Sequence, residues 1–156
     1  MDRIGLQTLR EELLADAREA ERALAEAKTR LEISAPAGLE AAAFQLLRLY
    51  NIVEQSGLRV AKAFENHIDS DSGWHSELAR RLTLEIAGVR PAFWPPSFGD
   101  PLRQLRGFRH VLTHAYDLRI DADRLALLVR DAEAVVPKLR PAVDRFVKEA
   151  EGLLSA

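Results

Sequence analysis

The first part of the chain carries a hydrophobic repeat of three and four positions, the pattern of amphipathic α-helices. Leucines and alanines carry this repeat from Ile4 to Leu31, which predicts one long helix. The sequence SAPAG at 34–38 then predicts a turn. The repeat resumes from Leu39 to about Asn66, with Gly57 as its one weak point. Two long helices joined by a short turn strongly favour a helical bundle.

Shorter segments follow these two helices. The polar sequence at 68–73 predicts a loop, and the amphipathic sequence at 74–87 predicts a shorter third helix. The stretch 88–101 holds most of the prolines and is predicted to be irregular. Its aromatic residues Phe93 and Trp94 are expected to hold this loop against the body of the protein.

Helical patterning returns in the last third of the chain. A fourth helix is predicted from about Leu102 to Leu118, and a final helical segment runs from the N-cap Asp121 to Leu154. Pro137 and Pro141 are expected to kink or split that last segment, because proline removes a backbone donor. No segment alternates with period two, so the sequence predicts an all-α bundle of about five helices, with 1–156 as a single domain.

The composition excludes several classes of protein and of binding site. Apolar residues make up 47% and charged residues 29% of the sequence, which is typical of a soluble globular domain. The sequence has no cysteine, which excludes disulfides and thiolate metal sites. No signal peptide or membrane span is evident, so we expect a cytoplasmic protein. With a net charge of -2, any binding of nucleic acid must depend on a local basic site.

The segment RGFRHVLTHAYDLR, at 106–119, concentrates ionisable side chains on one half of the predicted fourth helix. A helical wheel places these residues on the core half: Leu105, Phe108, Val111, Leu112 and Ala115. The opposite half carries Arg106, Arg109, His110, Thr113, His114, Tyr116 and Asp117. Histidine exchanges protons near neutral pH, and arginine is a permanently charged partner for phosphate oxygens. This face therefore suits phosphoryl chemistry.

These residues resemble a known motif. Arg109, the polar His110 and His114 look like the arginine, polar residue and histidine of the HEPN superfamily. Tyr116 extends the motif to the His-x-Tyr form found in HepT-like ribonuclease toxins. The flanking sequences are also similar in order and spacing, so the resemblance covers roughly residues 40–150; the similar segments are 49–65, 73–92 and 102–118.

The resemblance implies an all-α, HEPN-like ribonuclease toxin that acts as a homodimer and cuts RNA without a metal or other cofactor. It implies that Arg109 and His114 are catalytic. His110 replaces the asparagine or aspartate commonly found after the arginine, and it keeps a supporting role as a polar residue. The implied partner is a minimal nucleotidyltransferase antitoxin, which in some systems adenylylates the motif tyrosine, here Tyr116.

The chemistry of metal-independent RNA cleavage fits these residue types. A base must deprotonate the attacking 2′-hydroxyl, a cation must stabilise the phosphoryl oxygens, and an acid must protonate the leaving oxygen. Arg109 and His114 are five residues apart, so they diverge by roughly 140° and about 7.5 Å along one helix. We therefore expect two copies of the motif to meet in a twofold dimer.

Simpler interpretations exist for each residue. His114 suits a half-buried helix histidine bonded to a carboxylate, and Arg109 suits an interface ion pair. Tyr116 suits a tyrosine that packs its ring and exposes its hydroxyl. Asn51 and Glu54 lie on the polar side of the second helix, where they either support the cleft or belong to a solvated face.

His110 and His114 have the spacing of two zinc ligands on one helix. Val111 stands where a zinc helix has its glutamate, and no third ligand is evident, so no metal site is predicted. His67 and His75 flank the predicted loop and suit loop or capping positions. Two other functions stay open: an inactive HEPN-like module that binds a nucleotidyltransferase, and a helical oligomerisation protein.

Overall fold

Helices form nearly all of the regular structure in the computed structural model, which describes residues 1–33, 35–65 and 74–155. Within these ranges there are six α-helices: α1 (Arg3–Leu31), α2 (Pro36–Phe64), α3 (Trp74–Leu82), α4 (Gly99–His114), α5 (Ala122–Val135) and α6 (Leu139–Leu154). The predicted all-α fold is confirmed. The predicted loop at 68–73, His67 and the side chain of His75 lie outside the described residues.

Helices α1 and α2 form a long hairpin, as the repeat predicts. Each has 29 residues and therefore spans about 43 Å. Asp2 begins α1, where its Oδ1 accepts a hydrogen bond from the Gly5 amide at 2.7 Å. Helix α2 begins at Pro36, three residues before the predicted start, because proline has the backbone angle that a first helical residue needs.

Helix α3 ends at Leu82, whereas the sequence predicted a helix to residue 87. The side chain of Arg90 explains this difference. Its guanidinium donates to the backbone carbonyls of Arg81 at 3.0 Å and Leu84 at 2.9 Å, and the amides of Phe93 and Trp94 both bond to the carbonyl of Leu82. These carbonyls are therefore occupied by groups from outside the helix.

The stretch after α3 is a packed loop, as predicted. Phe93 and Trp94 are buried, and the Phe93 ring meets Phe146 of α6 edge to face at 5.3 Å. A short 3₁₀-helix at Pro96–Phe98 leads directly into α4. Helix α4 thus begins at Gly99, inside the stretch that was predicted to be irregular.

Helix α4 also ends earlier than predicted, at His114 instead of Leu118. No residue from 109 to 124 is buried, so packing against the core does not support another helical turn. Val111, predicted on the core half, is 40% exposed. The last turn of α4 is therefore largely exposed, with only Leu112 packed against the core, and Tyr116 lies outside the helix.

Helices α5 and α6 complete the bundle. Asp121 begins α5 as predicted, with its carboxylate accepting from the Asp123 amide at 3.1 Å. Pro137 lies in a 3₁₀ turn, Val136–Lys138, which splits the last segment as expected. The buried apolar side chains form one cluster that includes residues of all six helices. No helix in the described ranges is long and apolar enough to cross a membrane.

Candidate active site

An ion pair between α2 and α4 fixes the motif arginine. The Arg109 Nη1 lies 3.0 Å from Oε2 of Glu54, and the Glu54 side chain is largely buried. A charge-assisted bond of this kind fixes the direction of a planar guanidinium. Of the two alternatives for Glu54, a solvated face is therefore wrong, because its side chain is largely buried and paired with Arg109.

Tyr50 completes this arrangement one helical turn before Glu54. Its hydroxyl donates to Oε1 of Glu54 at 2.8 Å, and the Arg109 Cζ stands 5.6 Å from its ring centroid. Burial, followed by the nearby Glu54 carboxylate, raises the pKa of Tyr50, so its hydroxyl stays protonated as a donor. The contact of Tyr50 with Glu54 was not predicted from the sequence, although a spacing of four residues on one helix indicates that two side chains can meet.

The two motif histidines lie at the end of α4. Their rings stack with centroids 4.5 Å apart. His114 Nδ1 lies 2.9 Å from the backbone carbonyl of His110 and 2.9 Å from the Thr113 hydroxyl. A carbonyl oxygen only accepts, so this contact needs a proton on Nδ1, and in the neutral ring Nε2 then carries the lone pair. The predicted alternative of a half-buried histidine bonded to a carboxylate is wrong, because His114 is exposed and bonds to other groups.

A shallow groove of about 540 Å³ runs along this end of α4. Its described lining residues carry no carboxylate and are Arg106, Gly107, Arg109, His110, Thr113 and His114. A local cationic surface thus exists on a protein whose net charge is -2. The groove places a fixed positive charge and a proton acceptor on the same surface, which is the pairing that phosphoryl transfer requires.

Two predicted site residues lie elsewhere. Asn51 is exposed on another flank of α2, in a separate depression that Phe44, Arg48 and Gln55 also line. Tyr116 is fully exposed beyond the end of α4 and does not pack its ring against the described residues. The structure therefore groups Arg109 with Glu54, and His110 with His114, whereas Asn51 does not line the groove at the end of α4.

The histidine pair is not arranged as a metal site. In the described ranges, no group of three or more histidine and carboxylate side chains is placed to hold a metal ion. The rings of His110 and His114 are nearly parallel, at 26°, instead of converging on one point. Their geometry is that of a stacked pair.

Comparison with known proteins identifies the family. Residues 41–150, which are 110 of the 156 residues, match the family model described as HepT-like protein. No curated protein and no solved structure matches the chain. The matched region contains the groove, the Glu54–Arg109 ion pair and the histidine pair. The resemblance seen in the sequence is confirmed, and the chain belongs to the HepT-like family of the HEPN superfamily.

Proposed function

We propose that this protein is a metal-independent endoribonuclease that acts as the toxin of a toxin–antitoxin pair. The observation that carries the proposal is the groove in which Glu54 fixes Arg109 and His114 carries its lone pair on Nε2. In the described part of the chain, His114 Nε2 has no hydrogen-bond partner. Family membership supports the toxin assignment.

The reaction follows from these groups. His114 Nε2 takes the proton of a ribose 2′-hydroxyl, and the freed oxygen attacks the adjacent phosphorus. Arg109 stabilises the charge that develops on the phosphoryl oxygens. The bond from phosphorus to the 5′-oxygen then breaks, and the leaving oxygen accepts a proton. The products are a 2′,3′-cyclic phosphate and a free 5′-hydroxyl.

A second copy of the chain supplies the general acid in this proposal. The end of α4 exposes the apolar side chain of Val111, so a twofold partner has a surface to cover there. The partner brings its own arginine and histidine, and a protonated second histidine donates to the leaving oxygen. The cleft between two copies of α4 is then the complete site.

RNA cleavage in the presence of a chelator tests this function. We expect the wild type to cleave single-stranded RNA, and His114→Ala and Arg109→Ala to lose about 100-fold or more in rate. Arg130→Ala, an exposed arginine on α5, is the matched control and keeps full activity. Activity that persists in both site variants refutes this site. An inactive wild type favours a binding module for a nucleotidyltransferase.

The exposed Tyr116 is the modification site in the same proposal. A minimal nucleotidyltransferase would transfer adenylate from ATP to its hydroxyl, with pyrophosphate as the leaving group. The added negative charge would stand two residues beyond His114, at the end of the groove. Mass spectrometry after incubation with the cognate antitoxin and ATP should map the added mass to Tyr116 and not to the buried Tyr50. A mass added elsewhere refutes the assignment.

A further inference from the structure

A second depression lies beside the groove, between α2, α3 and the start of α4. Its volume is about 360 Å³, which lies in the roughly 300–1,000 Å³ range of small-molecule sites. Its lining is mainly apolar, with Leu78, Trp94 and Leu102 among the residues that form it. Tyr50 and Glu54 also line it, so this depression shares a wall with the pair that fixes the motif arginine.

Arg106 connects the depression to the groove, because it lines both. The other two arginines at the depression are paired: Arg103 lies 2.5 Å from Asp100, and Arg80 lies 2.7 Å from Glu77. Within the described residues, Arg106 forms no hydrogen bond or ion pair. Its charge is therefore available at the boundary between an apolar depression and a groove for phosphate.

We propose that the depression binds the base and ribose of the RNA nucleotide next to the cleaved bond, while Arg106 holds the phosphate that joins this nucleotide to the groove. This inference rests on the proposed ribonuclease function. A nucleotide combines a flat, mainly apolar ring with an anion, which matches the lining and the unpaired cation. A base reaches such a depression only from unstacked RNA, so the substrate is a single strand or a loop.

Binding of uncleavable RNA tests the depression without requiring catalysis. A 2′-O-methylated RNA trinucleotide is titrated by calorimetry into the wild type and into Ala79→Leu, which fills the depression from the half-buried face of α3. We expect Ala79→Leu to weaken binding about tenfold or more, within the range of losses when one base contact is removed. Ala126→Leu adds the same bulk to an exposed position of α5 and is expected to bind like the wild type.

Titration with a mononucleotide tests whether RNA or a free nucleotide occupies the depression. We expect the trinucleotide to bind more tightly than the mononucleotide, and Arg106→Gln to remove most of that difference. Equal affinities, with no effect of Arg106→Gln, would overturn the assignment to RNA. If circular dichroism shows that Ala79→Leu is unfolded, Thr83→Leu fills the same depression from near the end of α3.

Two results distinguish this inference from the proposed function. If the wild type cleaves RNA but does not bind the trinucleotide, or if the folded filling variants bind it normally, the depression is not a subsite and the ribonuclease function stands. If the filling variants lose binding while the wild type does not cleave RNA, the nucleotide site stands and the ribonuclease function is wrong.

Discussion

Glu54 determines the direction in which the Arg109 guanidinium points. Its two carboxylate oxygens are divided between the Arg109 guanidinium and the Tyr50 hydroxyl, at 3.0 Å and 2.8 Å. A guanidinium has five donors in a fixed plane, so binding one of its nitrogens orients the others. The carboxylate also lowers the net positive charge of this end of the groove. In the proposed mechanism, Glu54 is therefore a positioning residue, and Arg109 is the residue that contacts substrate.

Replacing Glu54 tests this role. Glu54→Gln keeps the size of the side chain but removes its charge, so Arg109 loses its fixed direction. We expect kcat for RNA cleavage to fall about 10- to 100-fold, with a much smaller change in KM, because the ground state retains both cations. Asn51→Ala, on an exposed flank of the same helix, should leave both constants unchanged. A wild-type kcat for Glu54→Gln would contradict this role.

At the scale of elements, Arg90 joins the end of α2 to the end of α3 and the loop beyond it. Its side chain is fully buried, and it pairs with Glu65 at 2.6 Å besides bonding to three backbone carbonyls. Glu65 also pairs with Arg81 of α3. Helix α3 has only nine residues and is too short to be stable alone, so these contacts hold it in place.

Removing the buried charge of Arg90 is expected to destabilise the folded protein. Arg90→Ala leaves the Glu65 carboxylate and three carbonyls without their donor, and we expect the free energy of unfolding to fall by about 3–5 kcal/mol. Arg80→Ala removes an exposed ion pair from the same helix and should leave the free energy of unfolding nearly unchanged. Urea denaturation monitored by circular dichroism measures the free energy of unfolding of both variants. Losses of equal size would show that the buried network does not anchor α3.

Gly57 permits the close approach of α2 to α3 and the packed loop. A Cβ at this position would lie 2.7 Å from Trp94 Cζ2 and would also clash with Leu82. Gly57→Ala should therefore lower the free energy of unfolding by about 1–3 kcal/mol. Gly107 is a helical glycine with no neighbour within 4 Å of such a Cβ, so Gly107→Ala should stabilise by about 0.5–1 kcal/mol. Changes of the same sign in both variants would contradict this account.

At the scale of the whole molecule, the features that were predicted correctly from the sequence are those that depend on local periodicity. The hairpin of α1 and α2 and the split at Pro137 follow from repeats and proline chemistry within each segment. The end of α3 depends on the Arg90 side chain, which comes from later in the chain. A helical wheel does not show where the core ends, which is why it placed the exposed Val111 on the core half and Tyr116 on α4.

The candidate site, like the fold, could be predicted from the sequence only where it depends on local patterns. The motif on α4 is local, and the resemblance identified Arg109 and His114 from it. The contact of Arg109 with Glu54 joins residues 55 positions apart, and no local pattern encodes such a pair. The sequence also had no signal for the place of Asn51 relative to the groove, since both flanks of α2 carry polar residues.

The proposed cleft makes the whole-molecule prediction that the site forms between two chains. Because cleavage there needs a histidine from each chain, a His114→Ala chain should inactivate the wild-type chain with which it pairs. Random pairing of equal amounts of the two chains makes about a quarter of the dimers fully wild type. Co-expression with His114→Ala should therefore lower cleavage to roughly a quarter of that of an equal amount of wild-type protein.

Wild type co-expressed with Arg130→Ala is the control, and it should keep full cleavage. Sedimentation of the co-expressed protein must show dimers, because inactivation needs the two chains to meet. Cleavage near half of the wild-type level would contradict this arrangement, since it would mean that each chain carries a complete site.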